Sequence, residues 1–162
     1  MLDQSRRIYW DSCVFLHYIE GTPEWMPVLD ALLEEASESN GLVIVTSSVS
    51  ITEVAFAKIE KDGKALDSNV EAAIDSLWND RSVVKLVEYN EIIARDARSL
   101  LRQTVQNGRS LKPMDAIHLA TARNRMVEDF HTTDGPLKQA TWASLGFSIR
   151  DPFTQKPKLF ST

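Results

Sequence analysis

Cysteine is almost absent from this sequence: Cys13 stands alone among 162 residues. An internal disulfide is therefore excluded, as is a cysteine-rich zinc site, and nothing calls for an oxidising compartment. Glycine is sparse too, and the six present build no Gly-rich phosphate loop or dinucleotide fingerprint. The stretch "SVSITE" (49–53 and the serine before it) holds serine and glutamate without a Gly-x-Ser-x-Gly elbow, which leaves serine-hydrolase chemistry unsupported. The three histidines, His17, His118 and His131, do not fall at the spacing of paired zinc ligands. No run approaches the roughly 18 apolar residues of a membrane span, and the opening "MLDQSRRIYWDS" lacks an apolar signal core. These absences predict a soluble, cytoplasmic protein with no membrane partner. Positive charge is in the minority, with 18 Lys and Arg against 23 Asp and Glu, a net charge of −5. That balance counts mildly against a nucleic-acid binder, and leaves room for a local basic strip or a metal that offsets the acids.

What is present reads as one domain. The length suits a single core that needs no covalent staples. No internal repeat or low-complexity tract interrupts it, and the organisation expected is a domain over 1–151 with a C-terminal extension over 152–162. Strand-like and helix-like segments alternate. Strands are predicted at 8–10, 42–48, 82–89, 128–134 and 147–151. Helices are predicted at 12–20 (stopped by Gly21), 24–38 (with Pro27 near its start), 49–61, 66–79, 91–107, 113–126 and 136–144. Such alternation predicts a three-layer α/β/α fold around a mostly parallel central sheet. In open sheets of this kind ligands sit beyond the carboxyl ends of the strands.

Four acids satisfy that placement. Asp11 follows the first strand directly, and Asp134 follows "DFHTT". Asp115 lies in the first turn of the Ala-rich helix "PMDAIHLATA", and Glu53 lies in the early turns of the helix after "LVIVTSS". Carboxylates sharing one crevice repel each other and raise their pKa values, a conflict that a divalent cation removes. Hard oxygen ligands suit Mg2+ or Mn2+. Each acid also has a local explanation. Asp11 and Asp134 are good helix-capping or turn residues, Glu53 stands three residues after Ser50 as in a capping box, and Asp115 suits a helix dipole. Four separate segments bring acids to one sheet edge, and that convergence favours a shared site.

The segments "IYWDSCVFLHYI", "LVIVTSSVSITEV", "LKPMDAIHLATA" and "FHTTDGPLKQA" stand in an order that resembles the PIN domain family, over roughly residues 8–150. Many members of that family are toxins of VapBC-type toxin–antitoxin pairs. The resemblance implies a PIN-like α/β/α fold and a metal-dependent endoribonuclease that hydrolyses RNA phosphodiester bonds. It implies Asp11, Glu53, Asp115 and Asp134 as the catalytic, metal-holding quartet for Mg2+ or Mn2+, with Ser12 and Thr133 in support. It also implies RNA as substrate, a cognate antitoxin as protein partner, and a homodimer. The connection over 21–40 and residues 152–162 depart from the family pattern, which bears on the partner surface and the RNA groove more than on the metal site.

Two other readings are open. The same fold serves as a catalytically silent binding or scaffold module if the acids are only caps, with the 24–38 helix and the tail around Phe153 and Phe160 as its interface. A haloacid-dehalogenase-like phosphatase needs a second Asp two residues after the first, and Cys13 stands there instead. Among weaker signals, Arg95, Arg98 and Arg102 recur at helical spacing, and Arg109 and Lys112 precede the Asp115 helix. They read as a solvated face or as phosphate contacts. Trp10, Trp25, Trp78 and Trp142 read as packing residues or as stacking platforms.

Overall fold

The computed structural model describes residues 5–38, 41–139 and 145–155. Its elements run β1 (Arg6–Trp10), α1 (Ser12–Glu20), α2 (Met26–Glu38), β2 (Leu42–Ser47), α3 (Val49–Glu53), α4 (Lys58–Gly63), α5 (Ser68–Asn79), β3 (Val84–Val87), α6 (Glu91–Gln106), α7 (Pro113–Asn124), β4 (Asp129–His131), α8 (Gly135–Gln139) and β5 (Ser148–Arg150).

The strands form one sheet in the order β3-β2-β1-β4-β5, and all four pairings are parallel. Ile8 stands opposite Ile44 on one side of β1, and Trp10 opposite His131 on the other. From β1 the chain first builds outward through β2 and β3, then returns to add β4 and β5 on the other side. The order therefore reverses between β1 and β4, and this is where a doubly wound sheet opens its crevice.

Alternation along β1 divides the core. Ile8 and Trp10 face one layer, packed with Val14 and Phe15 of α1, Leu29 and Leu32 of α2, and Trp78 of α5. Tyr9 faces the other, with Ile93 and Leu100 of α6, Ala116, Leu119 and Ala120 of α7, and Phe130 of β4. Both faces of the sheet are covered, as strands of nearly continuous apolar character require. The three-layer α/β/α expectation holds, with a sheet that is wholly parallel.

Local chemistry sets the element ends. Asp11 caps α1, its carboxylate accepting from the Ser12 N–H at 2.8 Å, and Gly21 closes it in the left-handed region at φ 61°. Asp67 caps α5 and Asn90 caps α6 through their side chains. One expected helix is two. The segment read as 49–61 breaks at Val54–Ala57, giving α3 and α4. The run Val49-Ser50-Ile51-Thr52 is poor in helix formers, since β-branched side chains lose rotamer freedom there. Glu60 then fixes a new start, accepting from the Ala57 N–H at 3.3 Å and from the Asp67 N–H at 3.0 Å. The strands read as 82–89 and 128–134 are shorter, so Thr132, Thr133 and Asp134 lie in a loop. Of the helix expected over 136–144, residues 140–144, with Trp142, lie outside the described residues, as do Phe160 and most of the C-terminal extension. No described helix is long and apolar enough to cross a membrane.

Candidate metal and active site

The site lies at the carboxyl ends of β1 and β4. Asp11 follows β1 and is buried. One carboxylate oxygen accepts the Ser12 N–H; the other accepts the Thr132 hydroxyl at 2.9 Å and lies 3.7 Å from the Cys13 thiol. Thr132 is fully buried and serves two acids at once, since its oxygen also accepts the Asp134 N–H at 3.1 Å. Asp134 in turn caps α8, accepting the Leu137 N–H at 3.3 Å. Asp115 stands in the first turn of α7, half-buried. Burial raises its carboxyl pKa, and the charges of Asp11 and Asp134 raise it further, against the pull of His118 and Lys112. Asp11, Asp115 and Asp134 therefore share one electrostatic environment.

Glu53 reaches this environment through a histidine. It is the last residue of α3, and its carboxylate is bonded to Nε2 of His118. The capping-box reading of Glu53 does not hold: α3 has no side-chain cap, and the Ser50 hydroxyl bonds Thr46 at 2.8 Å instead. His118 Nε2 also lies 3.6 Å from Asp11. On its other side, Nδ1 lies 2.6 Å from the Tyr9 hydroxyl, whose oxygen accepts the Ser47 N–H at 3.0 Å. Burial opposes the charged imidazole of His118, but the Glu53 hydrogen bond and the carboxylates of Asp11, Glu53 and Asp115 outweigh it and raise its pKa. The Tyr9 phenol is fully buried and its pKa is pushed well up, so it stays a neutral hydrogen-bonding group. Cys13 is pushed up by burial and by Asp11, which keeps it a thiol and not a nucleophile.

The supporting residues divide. Ser12 contributes its backbone N–H to Asp11. The Thr133 hydroxyl is engaged with His17 Nε2 at 3.0 Å, and His17 Nδ1 bonds Thr22 Oγ1 at 3.0 Å. The sequence reading names Thr133 and leaves out its neighbour Thr132, and it leaves His118 out of the site residues. The spacing of His118 three residues after Asp115, one helical turn, was the available signal.

The donor set suits a hard divalent cation: four carboxylates, three of which crowd each other enough to raise one pKa. Among the described residues no three of the His, Cys, Asp and Glu side chains already stand grouped as a ligand set. In this arrangement Glu53 is held by His118, and the chemistry of the set fits a cation.

Beside the acids, a cavity of about 240 Å3 is lined by Arg109, Leu111 and Lys112 of the α6–α7 loop, with Pro136, Asp115 and Asp134. Of the other cations, Arg95 pairs with Glu91 on an exposed helix face at 2.6 Å. Trp10 and Trp78 are buried in the core and Trp25 packs against it, so these three serve packing.

A doubly wound α/β sheet with an acid-lined crevice at its switch point defines the class. The chain belongs to the PIN domain family, whose model matches residues 8–142. No curated protein matches the sequence significantly. Three solved structures share the fold. VapBC2 from Rickettsia felis, solved bound to a DNA fragment from their promoter, is 12% identical with a TM-score of 0.65, over 90% of this chain and 98% of that one. FitAcB from Neisseria gonorrhoeae is 16% identical with a TM-score of 0.58, over 90% and 97%. VapC20 from Mycobacterium tuberculosis, described as a sarcin–ricin loop cleaving toxin, is 17% identical with a TM-score of 0.56, over 79% and 90%.

Proposed function

We propose that this protein is a Mg2+- or Mn2+-dependent endoribonuclease that hydrolyses RNA phosphodiester bonds, and that it is the toxin half of a type II toxin–antitoxin pair. The observation that carries the reading is the crowding of Asp115 by Asp11 and Asp134 at the β1/β4 switch point. Asp11, Glu53, Asp115 and Asp134 are the residues proposed to hold the cation. The chemistry a bound cation supplies is polarisation of the phosphate, activation of water and stabilisation of the leaving oxygen. The protein's own part is positioning. Thr132 and the Ser12 N–H fix the Asp11 carboxylate, and Thr132 also ties down the loop that carries Asp134. His118, anchored by Tyr9, holds Glu53 at the edge of the cluster. Burial and the charges of Asp11 and Asp134 push the Asp115 carboxyl up, the conflict that a bound cation would relieve.

RNA as substrate is supported by the Mycobacterium tuberculosis neighbour, named as a toxin that cleaves the sarcin–ricin loop. A protein partner is supported by a cavity of about 290 Å3 where the exposed Ile51, Phe56 and Leu66 stand beside the acids Glu60, Asp67, Glu71 and Asp75. The homodimer rests on the family resemblance, and the cytoplasmic setting on the lone Cys13, which calls for no oxidising compartment.

Titrating Mn2+ into the parent and into Asp115→Asn by calorimetry tests the cation step. The parent is expected to bind, and the folded variant to bind at least about tenfold more weakly. Equal binding by the two would remove Asp115 from the site. A second reading is a catalytically silent scaffold. It is favoured by one observation: Asp11 and Asp134 both cap helices, so two of the four acids have a structural duty. Absence of Mn2+ binding in the parent would favour that reading.

A further inference from the structure

Thr133, the neighbour of Asp134, lies against one face of α1. Cys13 and His17 meet it there, and their spacing of one helical turn puts both side chains on that face. The Cys13 sulfur accepts the Thr133 N–H at 3.4 Å, and His17 Nε2 lies 3.0 Å from the Thr133 hydroxyl. A thiol is a weak acceptor, so the imidazole makes the stronger tie. Asp11, the cap of the same helix, accepts the Thr132 hydroxyl. One short helix therefore holds Asp11 at its start and grips the loop that carries Asp134 further along.

The ring that makes this tie is itself braced. Gly21 turns the chain at φ 61°, in the left-handed region, and brings Thr22 back to the last turn of α1. The Thr22 N–H donates to His17 O at 3.1 Å, and its hydroxyl lies 3.0 Å from His17 Nδ1. The start of α2 fixes Thr22 in turn, since its carbonyl accepts the Trp25 and Met26 N–H groups at 3.0 and 3.1 Å. The Trp25 ring lies beside the imidazole, 5.9 Å between centroids. Both ring nitrogens are engaged, which sets the orientation of the ring. Among the described residues its side chain bonds the two threonines and none of the four acids.

We infer that His17 is a positioning residue for Asp134: braced by Thr22, its ring holds Thr133 and so sets the loop that carries Asp134 against α1. For its consequence in catalysis this rests on the nuclease reading above. It adds a chain, Thr22 to His17 to Thr133, by which the connection between α1 and α2 reaches the site.

Single substitutions separate the two bonds of the ring. Counted from Cβ, a Gln amide reaches the place of Nε2 and an Asn amide the place of Nδ1. His17→Gln thus keeps a partner for Thr133, and His17→Asn keeps one for Thr22 alone. The first measurement is hydrogen–deuterium exchange of the segment 131–137 in metal-free protein. Exchange there is expected to quicken about five- to tenfold in His17→Ala and His17→Asn, and to stay near the parent in His17→Gln. Mn2+ affinity by calorimetry follows the same order, falling about tenfold in the first two. In cleavage of a labelled single-stranded RNA at saturating Mn2+, those two lose about tenfold in kcat and keep KM. Thr22→Val leaves the ring in place and gives a smaller loss, and it adds nothing to His17→Ala because both act through one ring. Parent-like exchange and Mn2+ affinity in His17→Ala would overturn the inference. Equal losses in His17→Ala and His17→Gln, with thermal unfolding lowered alike, would reduce the ring to packing and overturn it too. Should His17→Ala fail to fold, the Gln and Asn variants decide, and identical behaviour of the two is the contrary result. A parent that neither binds Mn2+ nor cuts RNA, with exchange in the expected order, would sink the nuclease reading and leave the hold of His17 on the loop.

Discussion

Thr132 has one hydroxyl and two acidic clients, donating to Asp11 and accepting from the backbone of Asp134. Thr132→Val keeps the shape and removes both bonds. It is expected to cost about 1–3 kcal/mol in denaturant unfolding, because a buried carboxylate loses its donor. It should also lower metal-dependent cleavage about 10–100-fold, as for other groups that orient ligands. Thr132→Ser should restore most of both, and equal loss in the two variants would contradict the role. His131 presents a contrary case. It is fully buried, and among the described residues neither ring nitrogen has a hydrogen-bond partner. Burial, with Arg6 and Arg150 nearby, lowers its pKa to about 3. The folded protein thus refuses a proton that the unfolded chain accepts below about 6.5. Its contribution is present above that pH and is lost as pH falls from about 6.5 toward 3. At 1.36 kcal/mol per unit the whole window amounts to about 5 kcal/mol. His131→Phe should flatten unfolding free energy against pH across that window, and an unchanged slope would place the acid sensitivity elsewhere. The individual roles of these residues were legible only in part. That Asp11 ends a strand and caps a helix is a local matter, readable from "YWDSC". Which of Thr132 and Thr133 faces the acids depends on where β4 stops, a boundary set by pairing with β1 and β5. The link of His118 to Glu53 joins residues 65 positions apart and needs Tyr9 from a third element, so no spacing rule reaches it.

The Ala-rich character of α7 has a packing cause. Ala116, Ala120 and Ala122 are fully buried between the sheet and α6, where small side chains let the helix lie close enough to set Asp115 at the rim and His118 beneath it. Ala120→Leu should overfill that interface, costing about 1–3 kcal/mol in denaturant unfolding. It should also weaken Mn2+ binding by tilting the first turn. Unfolding and metal binding both matching the parent would show that the close approach is not needed. Elements with strong periodicity, such as α6 and α2, were readable from the sequence because one buried face repeats every turn. The break between α3 and α4 was not. It depends on the modest cost of a β-branched run and on Glu60 reaching back to Ala57 and on to Asp67. The break has a consequence for the site, since it makes Glu53 the end of a short helix and exposes Phe56 beside it.

Topology makes the site. A parallel sheet that reverses its order between β1 and β4 leaves a gap at their carboxyl ends, and the segments bearing Asp11 and Asp134 flank it. The alternating segments of the sequence predicted that rim, and PIN domain membership agrees with it. They could not show how the acids are held, because hydrogen bonds between distant segments leave no periodic trace. At this scale an acidic molecule is proposed to act on an acidic polymer, which requires a cation at the carboxylates. Cleavage of a labelled single-stranded RNA tests that claim most directly, with the parent and Asp11→Asn and Asp115→Asn compared in Mn2+ and in excess EDTA. The account predicts endonucleolytic products from the parent in Mn2+ alone, with both variants folded and nearly inactive. Cutting that persists in EDTA, or variants that cut like the parent, would contradict it.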